Sequence, residues 1–248
     1  MSERCPDCGG TGFTIRTDDA GIATAARCAC AYRERGAQLV GAARIPRRYE
    51  HCRFDSFDLV DPALEAPLAI AREWFERWPD RIEHGLLFAG APGTGKTHLA
   101  VAILRELAER KGAHVIFAEQ RELLKELQAT FDQTGRSEAE VLAPVLDAEV
   151  LLLDDLGAGR TTPWAQDVMH DVLAHRYNRR LPTLMTTNRA MGDEEGGQQA
   201  EGLPLRDRLG DALMSRLYEM CLLVPVTAKD FRRSYLHAQH RFQAEGRR

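Results

Sequence analysis

An α/β fold with a five-stranded parallel sheet flanked by helices is predicted by three features of this 248-residue chain. A short apolar run, Leu86-Leu87-Phe88, opens into Gly90-Ala91-Pro92-Gly93-Thr94-Gly95-Lys96-Thr97 and then into a helical pattern near His98. A second run, Val150-Leu151-Leu152-Leu153, ends in Asp154-Asp155. Further strand-like runs at His114–Ala118, Pro182–Asn188 and Cys221–Val226 are each preceded by helical sequence. Strands that alternate with helices pair in parallel, because each crossover helix covers a sheet face.

The glycine-rich stretch fits G-x-x-x-x-G-K-[ST] in the context it requires, strand before and helix after. Glycines let backbone N–H groups turn inward on a polyphosphate, where a Cβ would forbid the needed φ. The following helix adds unpaired donors and the positive end of its dipole. Lys96 reaches the β- and γ-phosphates, and the Thr97 hydroxyl can ligate Mg²⁺. The candidate nucleotide-contacting set runs from Gly90 through Ala91, Pro92, Gly93, Thr94, Gly95, Lys96 and Thr97 to His98. No N-K-x-D guanine motif is present, which favours ATP over GTP.

Length suits one α/β domain with an appended module, or two small domains. The formal net charge of −4 announces no nucleic-acid partner, so any such surface must be local. No apolar run approaches a membrane span, and the polar, cysteine-bearing start is unlike a signal peptide. Cysteines beside a nucleotide motif point to a reducing cytoplasm.

Residues 1–31 read as their own unit. Cys5-Pro6-Asp7-Cys8-Gly9-Gly10 has the shape of a metal knuckle, and Cys28-Ala29-Cys30 supplies a second pair. Four thiolates suit tetrahedral Zn²⁺, with Thr14–Arg16 and Ala25–Arg27 as a hairpin between the pairs. A redox pair and unliganded thiols are competing readings; so small a segment has little core without a metal, which favours zinc. Cys52 and Cys221 are single and read as packing residues.

Residues 32–60 read as a linker in which Arg44, Arg47, Arg48 and Arg53 surround Pro46, with Tyr49 and Phe54 interleaved. Such a strip could touch a nucleic-acid backbone or an acidic partner, or dock its aromatics on the core. An ATPase domain is expected over 61–248, opening with an amphipathic helix from Pro62 to Trp78. Leu99, Ala100, Ile103, Leu104 and Leu107 line one face of the next helix, Lys96 to Lys111, which Gly112 stops. Helices are expected over Arg121–Phe131 and Glu138–Leu146, separated by a break at Asp132–Ser137.

The unbroken run before Asp154 suits a strand buried on both faces. Its acidic end lies where open α/β sheets place ligands. Asp154 is the expected Mg²⁺ partner, and Asp155 is placed to polarise an attacking water. Thr162-Pro163 starts a helix whose end carries Arg176, Arg179 and Arg180, favourable near its own C-terminal dipole. The strand expected over Pro182–Asn188 ends in Asn188, whose amide can orient water or meet the γ-phosphate. Asp193–Pro204 is acidic and aperiodic, a surface loop, and Leu205–Met220 is helical.

The order GAPGTGKTH, LLLDDLG, TTNR and LGDALMSRL resembles AAA+ ATPases of the DnaC/DnaI helicase-loader group, which includes the IstB transposition ATPases. CPDCGGTGF with CAC, and IPRRYEHCRF, are similar to the cysteine-bearing members. The resemblance implies that Lys96, Thr97, Asp154 and Asp155 form the nucleotide site, with Asn188 at the sensor 1 position. It also implies that Arg216 acts as a finger on a neighbouring subunit, so homo-oligomers form on ATP or DNA. Little sequence follows Val226, which implies a helical lid absent or reduced, with Arg232 and Arg233 as weak stand-ins for its arginine. Helices within Glu119–Leu146, with Lys125 and Arg136, would meet single-stranded DNA.

The function implied is loading or remodelling of a replicative helicase on single-stranded DNA with ATP, Mg²⁺ and Zn²⁺. An IstB-type ATPase assisting a transposase is the alternative, and an ATP-binding adaptor with little turnover is a third reading. Asp155 stands where many relatives of this class carry Glu, which keeps the adaptor open.

Overall fold

The computed structural model describes residues 5–236 apart from 10, 12, 18–22, 28, 83, 133, 134, 160, 161 and 193–202. The acidic stretch 193–202, Cys28 and the last residues, 237–248, thus lie outside the described residues. Strands β1 (Phe13–Thr17) and β2 (Ala23–Arg27) pair antiparallel, with Phe13 opposite Arg27, as the hairpin reading expects. Helix α1 (Ala29–Ala42) follows and crosses the boundary expected at residue 31. Residues 32–42 are helical. Ala, Arg, Glu, Gln and Leu dominate this stretch, and all are strong helix formers. A Cβ at Gly36 would stand 2.8 Å from the Glu109 Cα, so only glycine lets α1 lie directly on the turn Leu107–Lys111.

The arginine-rich strip docks on the core. The Ala43 carbonyl accepts from Phe117 N at 2.8 Å. Arg53 grips Glu109 through both guanidinium nitrogens, at 2.6 and 2.7 Å. Arg48 reaches Glu119 at 3.1 Å, and the Tyr49 ring lies 5.9 Å from that of Phe117. Three cation-bearing or aromatic side chains of the strip are thereby committed to intrachain contacts.

Helix α2 (Glu65–Arg77) is preceded by a short turn, Pro62–Leu64, capped by Asp61, whose carboxylate accepts from Ala63 N at 3.0 Å. It buries Leu68, Ala71, Trp74 and Phe75, each large side chain contributing ~2–3 kcal/mol. Lys111 closes its far end, donating to the carbonyls of Phe75, Glu76 and Trp78. A cation there also meets the negative end of the helix dipole.

Strands β3 (Gly85–Ala89), β4 (Val115–Glu119), β5 (Val150–Asp154), β6 (Thr183–Thr187) and β7 (Cys221–Pro225) form a parallel sheet in the order β4-β5-β6-β3-β7. The link from β3 to β4 passes over two strands, so the chain order reverses beside β3. Crevices at such reversals, outside the carboxyl ends of strands, hold ligands. Side chains alternate between two cores: Leu86, Phe88, Leu152 and Leu184 face α2 and α3 (Lys96–Glu106), and Leu87, Leu151, Leu153 and Met185 face the other side. That second face is covered by α4 (Gln120–Ala129), α5 (Glu138–Asp147), α6 (Pro163–Asn178) and α8 (Asp211–Met220).

Two local readings change. Gly210, at φ 80°, splits the helix expected over Leu205–Met220 into α7 (Leu205–Leu209) and α8. Arg176 does not serve the end of its own helix. It is fully buried and donates to the carbonyls of Val145 (3.0 Å), Leu146 (3.3 Å) and Ala148 (3.0 Å), closing the C-terminus of α5. Helix-end carbonyls must be satisfied somewhere, and a neighbouring helix can supply the donor.

Candidate nucleotide-binding site

Strand β3 ends at Ala89, and the loop Gly90–Gly95 leads into α3. Gly93 and Gly95 sit at φ 79° and 99°, a region that favours glycine. A Cβ on Gly93 would collide with the Asp230 carboxylate, and one on Gly95 with the Phe57 ring. The loop is thus a close-fitting backbone cradle rather than a loose turn.

Lys96 begins α3 and is 5 % exposed. Its ammonium donates to the Ala91 carbonyl at 2.6 Å and to the Thr94 hydroxyl at 3.5 Å, both neutral acceptors. Burial lowers its pKa to about 8, against the fields of Asp155 and Asp154. A cation held in a cradle by neutral groups is ready for an anionic partner such as a polyphosphate.

One residue on, Thr97 Oγ1 donates to Asp154 Oδ1 at 2.8 Å. Thr186 Oγ1, from the neighbouring strand β6, donates to the same oxygen at 2.7 Å. Asp154 is 3 % exposed, and burial is the main cause that raises its pKa, with the two hydroxyl donors working against it. Both partners are hydroxyls, not cations, so the buried carboxylate with Thr97 beside it fits a divalent ion by donor chemistry: hard oxygen ligands, as Mg²⁺ prefers.

Asp155 adopts φ 56°, an uncommon conformation for a residue with a Cβ. Its N–H donates to Thr186 Oγ1 at 2.9 Å, and its Oδ1 accepts from Asn188 Nδ2 at 2.7 Å. The turn that follows is held by Gln120, 6 % exposed, whose Oε1 accepts from Gly157 N at 2.7 Å. Lys96, Thr97, Asp154, Asp155 and Asn188 therefore gather at the ends of β3, β5 and β6.

Other candidates lie elsewhere. Arg216 sits on α8 and donates to His170 Nε2 on α6. His98 faces the strip that precedes α2: its Nε2 donates to the Arg53 carbonyl at 2.9 Å, and its ring meets Phe57 edge-on at 5.2 Å. Cys5 and Cys8 lie on a turn closed by Gly9 N to the Cys5 carbonyl at 2.8 Å, with Gly9 at φ 61°. In the 119–146 region, Lys125 pairs with Glu122 at 2.7 Å, whereas Phe131 is 59 % exposed and stacks edge-on with Trp164 at 5.7 Å. After β7 the chain returns to the loop: Phe231 N donates to the Gly93 carbonyl at 3.0 Å, and a helical turn follows at Arg232–Leu236.

Sequence reasoning missed three contributors. Thr186 reads in the sequence only as part of a polar strand end, with no role of its own. Gln120 and Asp230 carry no local mark, because each acts on a loop distant in sequence. Among the described residues no helix is long and apolar enough to cross a membrane.

A parallel α/β sheet, a glycine cradle with a buried lysine, and a hydroxyl–carboxylate pair at the adjoining strand end define a P-loop nucleotide-binding protein of AAA+ type. Residues 76–239 match the family described as IstB-like ATP binding protein, and the chain belongs to that ATP-binding family. It is 28% identical over 206 residues to the uncharacterized protein YqaM of Bacillus subtilis, covering 79% of this chain and 60% of YqaM. It is 28% identical over 165 residues to the replicative helicase loader DnaC of Escherichia coli K12, covering 66% of each. The match thus spans just under two thirds of these relatives' length. A crystal structure of the DnaC helicase loader superposes with a TM-score of 0.63 at 29% identity, over 73% of this chain and 100% of that one.

Proposed function

We propose that this chain is an ATP-hydrolysing helicase loader of the DnaC type. What supports the reading is the strand-end constellation around Asp154, set in a chain whose likeness to the DnaC helicase loader spans the whole of that solved structure. In this reading the backbone of the Gly90–His98 stretch receives the ATP phosphates and Lys96 neutralises charge as it develops on them. Thr97 and Asp154 would hold Mg²⁺, whose charge would help to neutralise the phosphates. Asp155, steadied by Asn188, takes the proton of the attacking water. Arg216 acts on the nucleotide of an adjoining subunit, so turnover belongs to a homo-oligomer.

The division into a module (1–31), a linking segment (32–60) and an ATPase domain (61–248) is kept, with α1 bridging the first two parts. Cys5, Cys8, Cys28 and Cys30 hold a structural Zn²⁺, a reading supported by the glycine-closed turn at the first pair. The exposed Phe131, backed by Trp164, offers a stacking face for single-stranded DNA. The partner is a replicative helicase, and the protein works in the cytoplasm.

The family's IstB-like description supports a second reading, an ATPase that assists a transposase. An adaptor with little turnover rests on the short reach of Asp155. Steady-state ATP hydrolysis, measured alone and with single-stranded DNA, replicative helicase or a co-encoded transposase, separates the three. A loader is stimulated by helicase or DNA, the second reading requires stimulation by transposase, and an adaptor binds ATP without turnover throughout.

A further inference from the structure

Two histidines and a cysteine from distant parts of the chain meet where the docked strip crosses the start of α3. His51 and Cys52 follow the turn Arg47–Tyr49, and His98 lies on the first turn of α3. The His51 and His98 rings meet edge to face at 5.7 Å, and His51 Nε2 stands 3.9 Å from Cys52 Sγ. One ligand atom from each of the three lies within 4.8 Å of the others. In a tetrahedral zinc site, bonds of about 2.0 Å to nitrogen and 2.3 Å to sulfur put ligand atoms roughly 3.5 Å apart. The thiol–imidazole separation is close to that spacing before any metal draws the group together.

We propose that His51, Cys52 and His98 form a transition-metal site of the zinc class, with solvent in the remaining position, that fastens the docked strip to the phosphate loop. One thiolate and two imidazoles are a ligand set suited to Zn²⁺ and poorly suited to Mg²⁺ or Ca²⁺. Surroundings favour a single geometry: Cys52 is 1 % exposed, and His98 is clamped between Phe57 and the Arg53 carbonyl. His51 is exposed, which leaves the metal a path in from solvent. Binding releases the Cys52 thiol proton as the Zn–S bond forms, so uptake at fixed pH is accompanied by proton release. His98 directly follows Thr97, so occupancy couples the strip to the residue that meets Asp154.

The site is separable from the N-terminal cysteines by variants that leave those untouched. Full-length protein, stripped of metal and titrated with Zn²⁺, is compared with His51→Ala and Cys52→Ala. The wild type takes up one equivalent more than either variant, and His51→Ala weakens that equivalent by about 100-fold or more. Loaded with Co²⁺, the wild type carries a thiolate-to-metal absorption component that Cys52→Ala lacks. Because His51 is exposed, its variant tests the site even if Cys52→Ala fails to fold. Equal zinc uptake by the wild type and His51→Ala overturns the proposal, leaving the three side chains as an ordinary packed cluster.

Discussion

Thr186 Oγ1 donates to Asp154 Oδ1 at 2.7 Å while accepting the Asp155 N–H at 2.9 Å. One hydroxyl on β6 thus fixes both acids at the end of β5, one as acceptor and one through its backbone. Thr186→Val keeps the branched shape and removes both bonds. Expected is a fall in ATP turnover of about 10–100-fold with affinity for ATP changed by less than about threefold. Single-turnover rates and equilibrium nucleotide binding, measured on the same preparation, check this.

Lys96 carries a pH prediction. Burial lowers its pKa to about 8, and phosphate contact raises it, so ATP binding takes up a proton once the free protein is above that value. Affinity is full below pH 8 and declines above it, by up to about tenfold per pH unit, until the raised pKa of the complex is reached. In the absence of nucleotide the sign for folding is opposite: the unfolded chain holds more protons between about 8 and the ordinary 10.5, so this lysine's contribution to stability rises with pH there. Calorimetric binding in buffers of different ionisation heat detects the uptake directly.

Arg176 is a structural cation with no role at the site. Removing it leaves the carbonyls of Val145, Leu146, Ala148 and Pro182 without their shared donor. Arg176→Ala is expected to destabilise the fold by ~3–5 kcal/mol. Denaturant unfolding measures it. Lysine, with one point charge instead of a fork, recovers only part of the loss.

Much of this was legible in the residues, and the parts that were not share a cause. The run before Asp154 and the cradle before Lys96 are local signals, since one strand or one turn contains all that defines them. Capping at Thr162 was legible for the same reason, with its hydroxyl accepting Ala165 N at 3.2 Å. Thr186 was opaque because threonine in a strand is ordinary β preference until β5 lies beside it. Arg176 reads locally as serving the nearest helix end, whereas tertiary packing gives it the end of α5. His51 and His98 become neighbours only once the strip docks, and no spacing rule joins residues so far apart.

Phe131 tests the proposed DNA-binding face. Phe131→Ala is expected to weaken binding to single-stranded DNA by ~1–3 kcal/mol, with ATP binding unchanged. Fluorescence anisotropy with a labelled oligonucleotide, at stated salt, reads the change. Lys125→Ala is expected to do less, because that ammonium is already paired with Glu122.

The proposed site joins a nucleotide held by one subunit's Lys96 and Asp154 to Arg216 of the next. Lys96→Ala and Arg216→Ala proteins, each tested alone, are expected to lose stimulated ATP turnover by about 10³-fold, the second still binding ATP. Mixed together, they create junctions with an intact Lys96 site facing an intact Arg216. Turnover by the mixture well above either variant alone is the predicted result; a mixture no faster than its parts contradicts the shared site.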